Sequence, residues 1–325
     1  MRLYLATMPE GWGHSRNIDS KYVSGNIMHT QLGKLNSKFR ILISYWYYKN
    51  VDIEEMLYKY YTDIEMDIFA DSGAFSAMTQ GVDITRKEYA DWVKRWEHLF
   101  TVYSNLDVIR NAEKTWENQQ YMEDAGLKPL PVFHIAEKFD WLEKYIDNYN
   151  YIALGGLVST GINYNKRMAW LVKCFRMANN KAVFHAFGVT TWEVMSSFMW
   201  YSVDSSSWGS GFRYGTISLF DHNKGKFNKL TLGDYNSCKQ NAKLINSYGY
   251  DPMDFAVRER NDRNKVCAIS ALSYIKAEEY LRRRWGKVKL PGMGSGYKGY
   301  LADSGGLSLS SNYYMAKQGI KVYLG

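Results

Sequence analysis

Asp71, Asp107, His134, Gly155, Gly156, His185, Gly188 and Asp204 each stand at or near the point where a short apolar run stops. The stretch Met66-Asp67-Ile68-Phe69-Ala70-Asp71-Ser72-Gly73-Ala74-Phe75 shows the form: an apolar run that ends on a carboxylate, a hydroxyl and a glycine. Any one of these residues has a plain explanation. Asp71 or Asp204 would serve as a helix cap, His134 or His185 as a satisfied core histidine, and the Gly155-Gly156 pair as a tight turn. Three carboxylates gathered on one face can instead divide nucleophilic and acid/base work. Retaining glycosidases do this: one carboxylate attacks the anomeric carbon and another manages protons. Chemistry at a glycosidic carbon is the class reached from the residues alone. A divalent ion held by Asp71, Asp107, His134 and His185 is the competing reading, but no HxxxH, HxH or CxxC spacing supports it.

The elements that must position these residues recur with a clear rhythm. Residues 2–7, 39–45, 66–71, 102–109, 130–135, 151–156, 182–187 and 200–204 read as eight strands. Helical patterns fill 52–61, 85–99, 112–125 (closed by Gly126), 137–149 and 166–177, and Thr190 with Glu193 has the spacing of a capping box. Strand and helix in alternation predict an α/β fold, a (β/α)8 TIM-type barrel rather than a doubly wound open sheet. In such a barrel the C-terminal strand ends share one face, which is where active sites lie. Trp92 and Trp96, at helical spacing, read as core. The long segment between the first two strands, with His14, Arg16 and Lys21, reads either as a binding loop over the mouth or as an insertion.

With 325 residues and 46% hydrophobic content the chain can bury a large core, which excludes a disordered protein. No apolar run approaches the roughly 18 residues of a membrane span and no leader pattern opens the chain, so a soluble, cytoplasmic protein without membrane partners is expected. Cys174, Cys238 and Cys267 are few, odd in number and far apart, the usage of reduced thiols.

The rhythm stops after residue 204, which divides the chain into a barrel core, 1–204, and a basic, mainly helical C-terminal extension, 205–325, packed on it. Of 41 Lys and Arg and 33 Asp and Glu, the extension holds 19 and 9, leaving 22 and 24 before it; the charges are +10 and −2. Residues 208–220 are rich in glycine, serine and aromatics, 232–247 and 264–285 read as helices, and the tail from Pro291 ends in a strand-like 320–324. Lys224, Lys226, Lys229, Arg258, Arg260, Arg263, Lys265, Arg282, Arg283 and Arg284, with Lys287 and Lys289, form the expected phosphate-binding surface. The helix dipole accounts for part of the Arg282-Arg283-Arg284 run, and a generally basic surface that aids solubility is the alternative.

With these residues in place the chain resembles the tRNA-guanine transglycosylase superfamily, and most closely its phage and bacterial DNA-modifying branch, the DpdA-type 7-deazaguanine DNA transglycosylases. The resemblance spans about 66–285. The family's Asp-Ser-Gly-Gly-Phe appears as Asp71-Ser72-Gly73-Ala74-Phe75, its Gly-Gly-Leu as Gly155-Gly156-Leu157, and its His-x-x-Gly-Val as His185-Ala186-Phe187-Gly188-Val189. Ser202-Val203-Asp204-Ser205 falls where the family keeps its nucleophile, and Leu106-Asp107-Val108 where it keeps a base-reading carboxylate. The resemblance implies that Asp204 attacks C1′ of a guanosine nucleotide to form a covalent glycosyl-enzyme intermediate while Asp71 acts as general acid/base. Asp107, with the amides of Gly155, Gly156 and Leu157, would read the guanine-like edge, and His134 and His185 would wall the pocket.

Two departures stand out. The family's zinc site needs three cysteines and a histidine, and here Cys238 alone remains of the triplet, with Gly233 and Tyr235 at the other places and Cys267 near that of the histidine. No conventional zinc site, and no cofactor, is expected. The segment Val158-Ser159-Thr160-Gly161 lacks the family's frequent acidic residue. Asp303-Ser304-Gly305-Gly306 matches the first motif more literally but lies in the tail, outside the barrel order. The expected function is exchange of guanine in DNA for a free 7-deazaguanine base such as preQ0. The alternatives are the same reaction on tRNA and a non-catalytic nucleic-acid-binding barrel.

Overall fold

A computed structural model describes residues 1–7, 39–60, 66–157, 163–189, 191–257 and 263–292. Eight parallel strands form one sheet: β1 (Arg2–Ala6), β2 (Phe39–Ser44), β3 (Met66–Asp71), β4 (Val102–Tyr103), β5 (Val132–His134), β6 (Tyr151–Gly155), β7 (Val183–Ala186) and β8 (Ser202–Ser205). Their order is β4-β3-β2-β1-β8-β7-β6-β5, so the first and last strands pair at the middle. The sheet curls, and its edges meet through a single parallel bridge between Ser104 and Leu130, with Leu130 N–H donating to Tyr103 O at 2.8 Å and Asn105 N–H to Leu130 O at 2.9 Å.

Both faces of the sheet are buried, as the near-continuous apolar strands require. Alternate residues sort to opposite faces. Tyr4, Leu42, Phe69, Val102, Val132 and Ala153 belong to the cluster inside the curl. Their neighbours Leu3, Ile41, Ile68, Phe133 and Ile152 face the helices in the larger cluster. This parity decides which polar residues share an interior: Ser44, Asp71, His134, Gly155 and Asp204 all fall on the inward face near strand ends.

The helices are α1 (Tyr45–Tyr48), α2 (Ile53–Tyr60), α3 (Ala74–Thr79), α4 (Arg86–Trp96), α5 (Ala112–Asp124), α6 (Phe139–Asn148), α7 (Tyr164–Ala178) and α8 (Trp192–Ser197). After β8 come α9 (Ser210–Tyr214), the strands β9 (Thr216–Asp221) and β10 (Lys226–Thr231), α10 (Tyr235–Gln240), α11 (Ala242–Ser247), α12 (Met253–Ala256) and α13 (Arg263–Trp285). Thr85 and Glu88 close a reciprocal capping box that starts α4, whose Tyr89, Trp92, Val93 and Trp96 are buried, as their spacing predicts.

The structure departs from the sequence reading in several places. The fourth strand is Val102–Tyr103, not 102–109; Asp107 lies beyond it, in the segment that leads to α5. The described part of the extension is mainly helical, but it also holds a hairpin: β9 and β10 pair antiparallel, so Lys226 and Lys229 sit on a strand. The helix predicted over 232–247 is two, broken at Asn241, whose Nδ2 donates to Lys229 O at 3.2 Å and Ser237 O at 2.9 Å. Helix α8 begins after Thr191, which makes no side-chain cap bond. Thr190, the 8–38 segment with His14, Arg16 and Lys21, the 158–161 segment, Arg258, Arg260, the Asp303-Ser304-Gly305-Gly306 motif and the 320–324 strand lie outside the described residues, as does the side chain of Arg263.

Helix α13 runs back along β1. Ser270 Oγ donates to Trp208 O at 2.5 Å and Trp208 Nε1 to Ala6 O at 2.8 Å, near where β1 ends. Two turns later Glu278 Oε2 accepts from Leu3 N–H at 3.0 Å. Glu278 Oε1 also accepts from Arg40 Nη1 at 2.7 Å, and Arg40 Nε donates to Asp67 at 3.1 Å, a buried network at the end where strands begin. Val288 and Leu290 pack onto the inner cluster there, and Asn150 Nδ2 donates to Pro291 O at 2.9 Å. Among the described residues no helix is long and apolar enough to cross a membrane.

Candidate active site

At the opposite end, where strands finish, a cavity of about 480 Å³ opens, lined by Asp71, Asp107, His134, Gly155, Gly156 and Asp204 together with Gly188, Phe75, Met78 and Arg110. Six of the eight base-binding and catalytic residues read from the sequence therefore share one wall. His185 and Leu157 do not line it; both are buried behind it.

Asp71 is the last residue of β3, opposite Ser44 in the register. Its Oδ2 accepts from Ser44 Oγ at 3.0 Å and from Gly73 N–H at 3.1 Å, and its Oδ1 from Ser104 Oγ at 3.4 Å. The turn is tight enough to demand glycine: Gly73 has φ +72°, and a Cβ there would meet Trp46 Cβ at 2.6 Å. Burial pushes the Asp71 carboxyl up to about 7, with the charges of Asp107 and Asp204 adding and the bonds from Ser44 and Gly73 opposing. Near neutral pH this group both holds and releases a proton.

Asp204 sits on β8 beside Tyr4 of β1. Its Oδ1 accepts from Gly188 N–H at 2.8 Å and faces His185 Nε2 at 3.3 Å. Burial lowers the proton affinity of His185, against the pull of Asp204. A neutral ring that donates from Nε2 to Asp204 then accepts at Nδ1 from Ser202 Oγ, 2.7 Å away, and Ser202 in turn accepts from Tyr151 Oη. His185 thus orients the carboxylate from behind, ringed by Phe69 at 4.4 Å and Phe187 at 4.6 Å between centroids.

Asp107 accepts from Ser72 Oγ at 3.0 Å and from His134 Nε2 at 2.8 Å, one donor on each oxygen. His134 ends β5 opposite Gly155. A Cβ on Gly155 would meet His134 Cδ2 at 2.5 Å, so the glycine is what lets the ring come this close to β6. Glu137 takes the other side of the ring, with Oε1 3.2 Å from Nδ1 and Oε2 accepting the backbone N–H of His134 at 3.0 Å. Burial opposes a charge on His134, but the hydrogen bonds to Asp107 and Glu137 outweigh it and raise the imidazole to about 9. At neutral pH it is an imidazolium between two carboxylates.

The sequence reading missed Ser44, Ser104, Arg110 and Glu137. Ser44 was available from parity, since it is the last inward residue of β2, and Glu137 from its spacing of three after His134. Ser104 and Arg110 carry no local signal: Ser104 is placed by the bridge to Leu130, and Arg110 by a turn that gives it φ +64°.

Among the described residues, none of the expected phosphate contacts lines this cavity. Arg282 lies 4.0 Å from Glu278, in the layer of Arg40 and Asp67. That layer is four residues before Ser44 and Asp71 on β2 and β3, or about 13 Å at the rise of a strand. Arg283 pairs with Glu279, Arg284 lies over the Trp285 ring at 4.9 Å, Lys224 is 3.5 Å from Asp221 and Lys265 2.8 Å from Asp254. Among the described residues, Arg110 is the Lys or Arg that lines the cavity. Cys238 on α10 and Cys267 on α13 are buried free thiols, and among the described residues no group of three His, Cys, Asp or Glu is placed to hold a metal ion. No family model matches the sequence, and no curated protein matches it.

Proposed function

We propose that the protein is a base-exchange transglycosylase that replaces guanine in DNA with a free 7-deazaguanine such as preQ0. The observation that carries the reading is that Asp71 and Asp204 line one cavity in unlike settings. One is poised to exchange a proton near pH 7, and the other is oriented by two N–H donors. Two carboxylates separated in role by their surroundings are what substitution at a glycosidic carbon needs. The resemblance of the Asp71, Asp107, Gly155-Gly156-Leu157 and Asp204 segments to the guanine transglycosylases supplies the identity of the base. On this reading the curled sheet is the wall of a (β/α)8 barrel, with the Ser104–Leu130 bridge at its seam and α13 in the place of the helix after β8.

In the first step Asp204 attacks C1′ of the target nucleotide, the C1′–N9 bond breaks, and its electron pair leaves with the base, which takes the proton from Asp71. In the second the incoming 7-deazaguanine returns its N9 proton to Asp71 and displaces Asp204 from C1′. Asp107 accepts hydrogen bonds from the N1–H and exocyclic amine of either base. A target in a duplex must first be flipped out, at a cost of a few kcal/mol, and the phosphate contacts that offset it fall to Arg110 and to cations of the extension.

The test is incorporation of labelled preQ0 into DNA and into tRNA, side by side. Wild type is expected to label DNA. Asp204→Ala is expected to abolish labelling and with it a covalent adduct between protein and DNA, and Asp71→Asn to slow it 10²-fold or more, the usual worth of a general acid. Label in tRNA alone moves the proposal to that polymer. Absence of label in both, or full activity in Asp204→Ala, ends it.

A further inference from the structure

Glu137 takes no part in the steps above, yet its carboxylate is 5% exposed and spent wholly on His134. His134 in turn is gripped on three sides, by Glu137 at Nδ1, Asp107 at Nε2 and Gly155 close to Cδ2. The groups that face it are Asp107 from the segment after β4 and Glu137 from its own turn; Tyr145 of α6 feels both carboxylates, its phenol raised by burial with Glu137 and Asp107 adding. Asp71 across the cavity and Arg110 on its lining complete the set.

We infer that Glu137 is a positioning residue that sets base specificity: its charge keeps the proton shared by His134 and Asp107 on the imidazole, so Asp107 stays an acceptor on both oxygens. A ring that presents two adjacent N–H donors, as guanine and 7-deazaguanine do, then finds two acceptors. A ring that presents an acceptor there, as adenine does at N1, finds no donor. With a neutral residue at 137 the imidazolium is no longer held, and a neutral ring that carries its one proton on Nδ1 turns a lone pair toward Asp107, which then loses the donor that fixes its two acceptor oxygens. The identity of the ring rests on the base-exchange reading; the role of Glu137 toward His134 does not.

Glu137→Gln keeps the shape and the acceptor for the His134 backbone N–H. Titration of His134 by NMR with ring-labelled histidine is expected to show its transition moved from about 9 toward the ordinary histidine value. Guanine affinity by calorimetry is expected to fall about tenfold at pH 8, equal to roughly 1.4 kcal/mol, while preference over adenine narrows by the same factor. His134→Gln keeps an amide donor for Asp107 but cannot titrate; in that background Glu137→Gln is expected to change guanine affinity less than twofold. Thermal unfolding confirms that each variant is folded. An unmoved His134 titration in Glu137→Gln, or guanine affinity and preference unchanged within twofold, overturns the inference. If wild type binds neither guanine nor 7-deazaguanine, the base-exchange reading falls and the His134 titration alone decides the role of Glu137.

Discussion

At the scale of single residues, the two cavity-lining groups raised in their titration, Asp71 and His134, have the same sign of effect on stability. Asp71, raised to about 7, binds its proton more tightly folded than unfolded, so stability falls as pH rises from about 4 to about 7. Three pH units correspond to on the order of 4 kcal/mol, an upper bound for a cavity-lining group. His134, raised to about 9, contributes stability that is full below about 6.5 and lost as pH rises through 9. Asp71→Asn can keep the bonds from Ser44 and Gly73 on its amide oxygen and has no charge to bury. It is expected to be more stable than wild type by about 2–4 kcal/mol at pH 8 and indistinguishable at pH 3.5, in urea unfolding at both values. Equal stability of the two proteins at pH 8 would show that Asp71 is ordinarily ionised and remove its claim to the proton.

At the scale of elements, the site depends on strands whose inward residues are apolar until the last one. Phe69 precedes Asp71, Val132 precedes His134 and Ala153 precedes Gly155, each by two residues, so one turn of the pleat separates the sealed interior from the cavity. The beginning of the same strands is held by Glu278 of α13, which is 1% exposed and serves both Leu3 N–H and Arg40. Removing it leaves a buried guanidinium with Asp67 as its remaining carboxylate and an unanswered backbone donor. Glu278→Ala is expected to cost about 3–5 kcal/mol, and Glu278→Gln less because its amide oxygen still answers one of the two donors. A urea midpoint for Glu278→Ala within 0.5 kcal/mol of wild type, with the m-value unchanged, would contradict this account of how α13 is fastened.

At the scale of the whole molecule, the two ends of the curled sheet have different work. One end opens on Asp71, Asp107 and Asp204; the other is covered by the stretch after α13, in which Val288 and Leu290 turn inward and Lys287 and Lys289 are exposed. Replacing Val288 with Asp puts a carboxylate against the inner cluster and is expected to cost about 2–3 kcal/mol, with dye binding that reports exposed apolar surface. Lys287→Asp, one residue away, is expected to change stability by less than about 0.5 kcal/mol. Equal effects at the two positions would refute the alternation. The same division separates Arg282 from the mouth: it lies by Glu278 at the closed end, while Arg110 lines the cavity.

Much of this was legible in residue order. Apolar runs that end on Asp71, His134, Gly155 and Asp204 announce buried parallel strands, because a strand covered on both faces has no polar position until it leaves the sheet. Helical spacing marked Trp92 and Trp96 as core, and glycine next to glycine at 155 and 156 marked a close approach without saying to what. Sequence could not show that Gly155 makes room for the His134 ring, that Glu137 turns back on that ring, or that Asp107 reaches the cavity from beyond a two-residue strand. Nor could it distribute the cations of the extension, since helix periodicity is silent about which end of a sheet a helix approaches. Those outcomes depend on register and on the curl that brings β3, β5 and β8 around one space. Registers are set by contacts between residues far apart in the chain, such as Leu3 with Glu278 and Ser104 with Leu130, which no local pattern encodes.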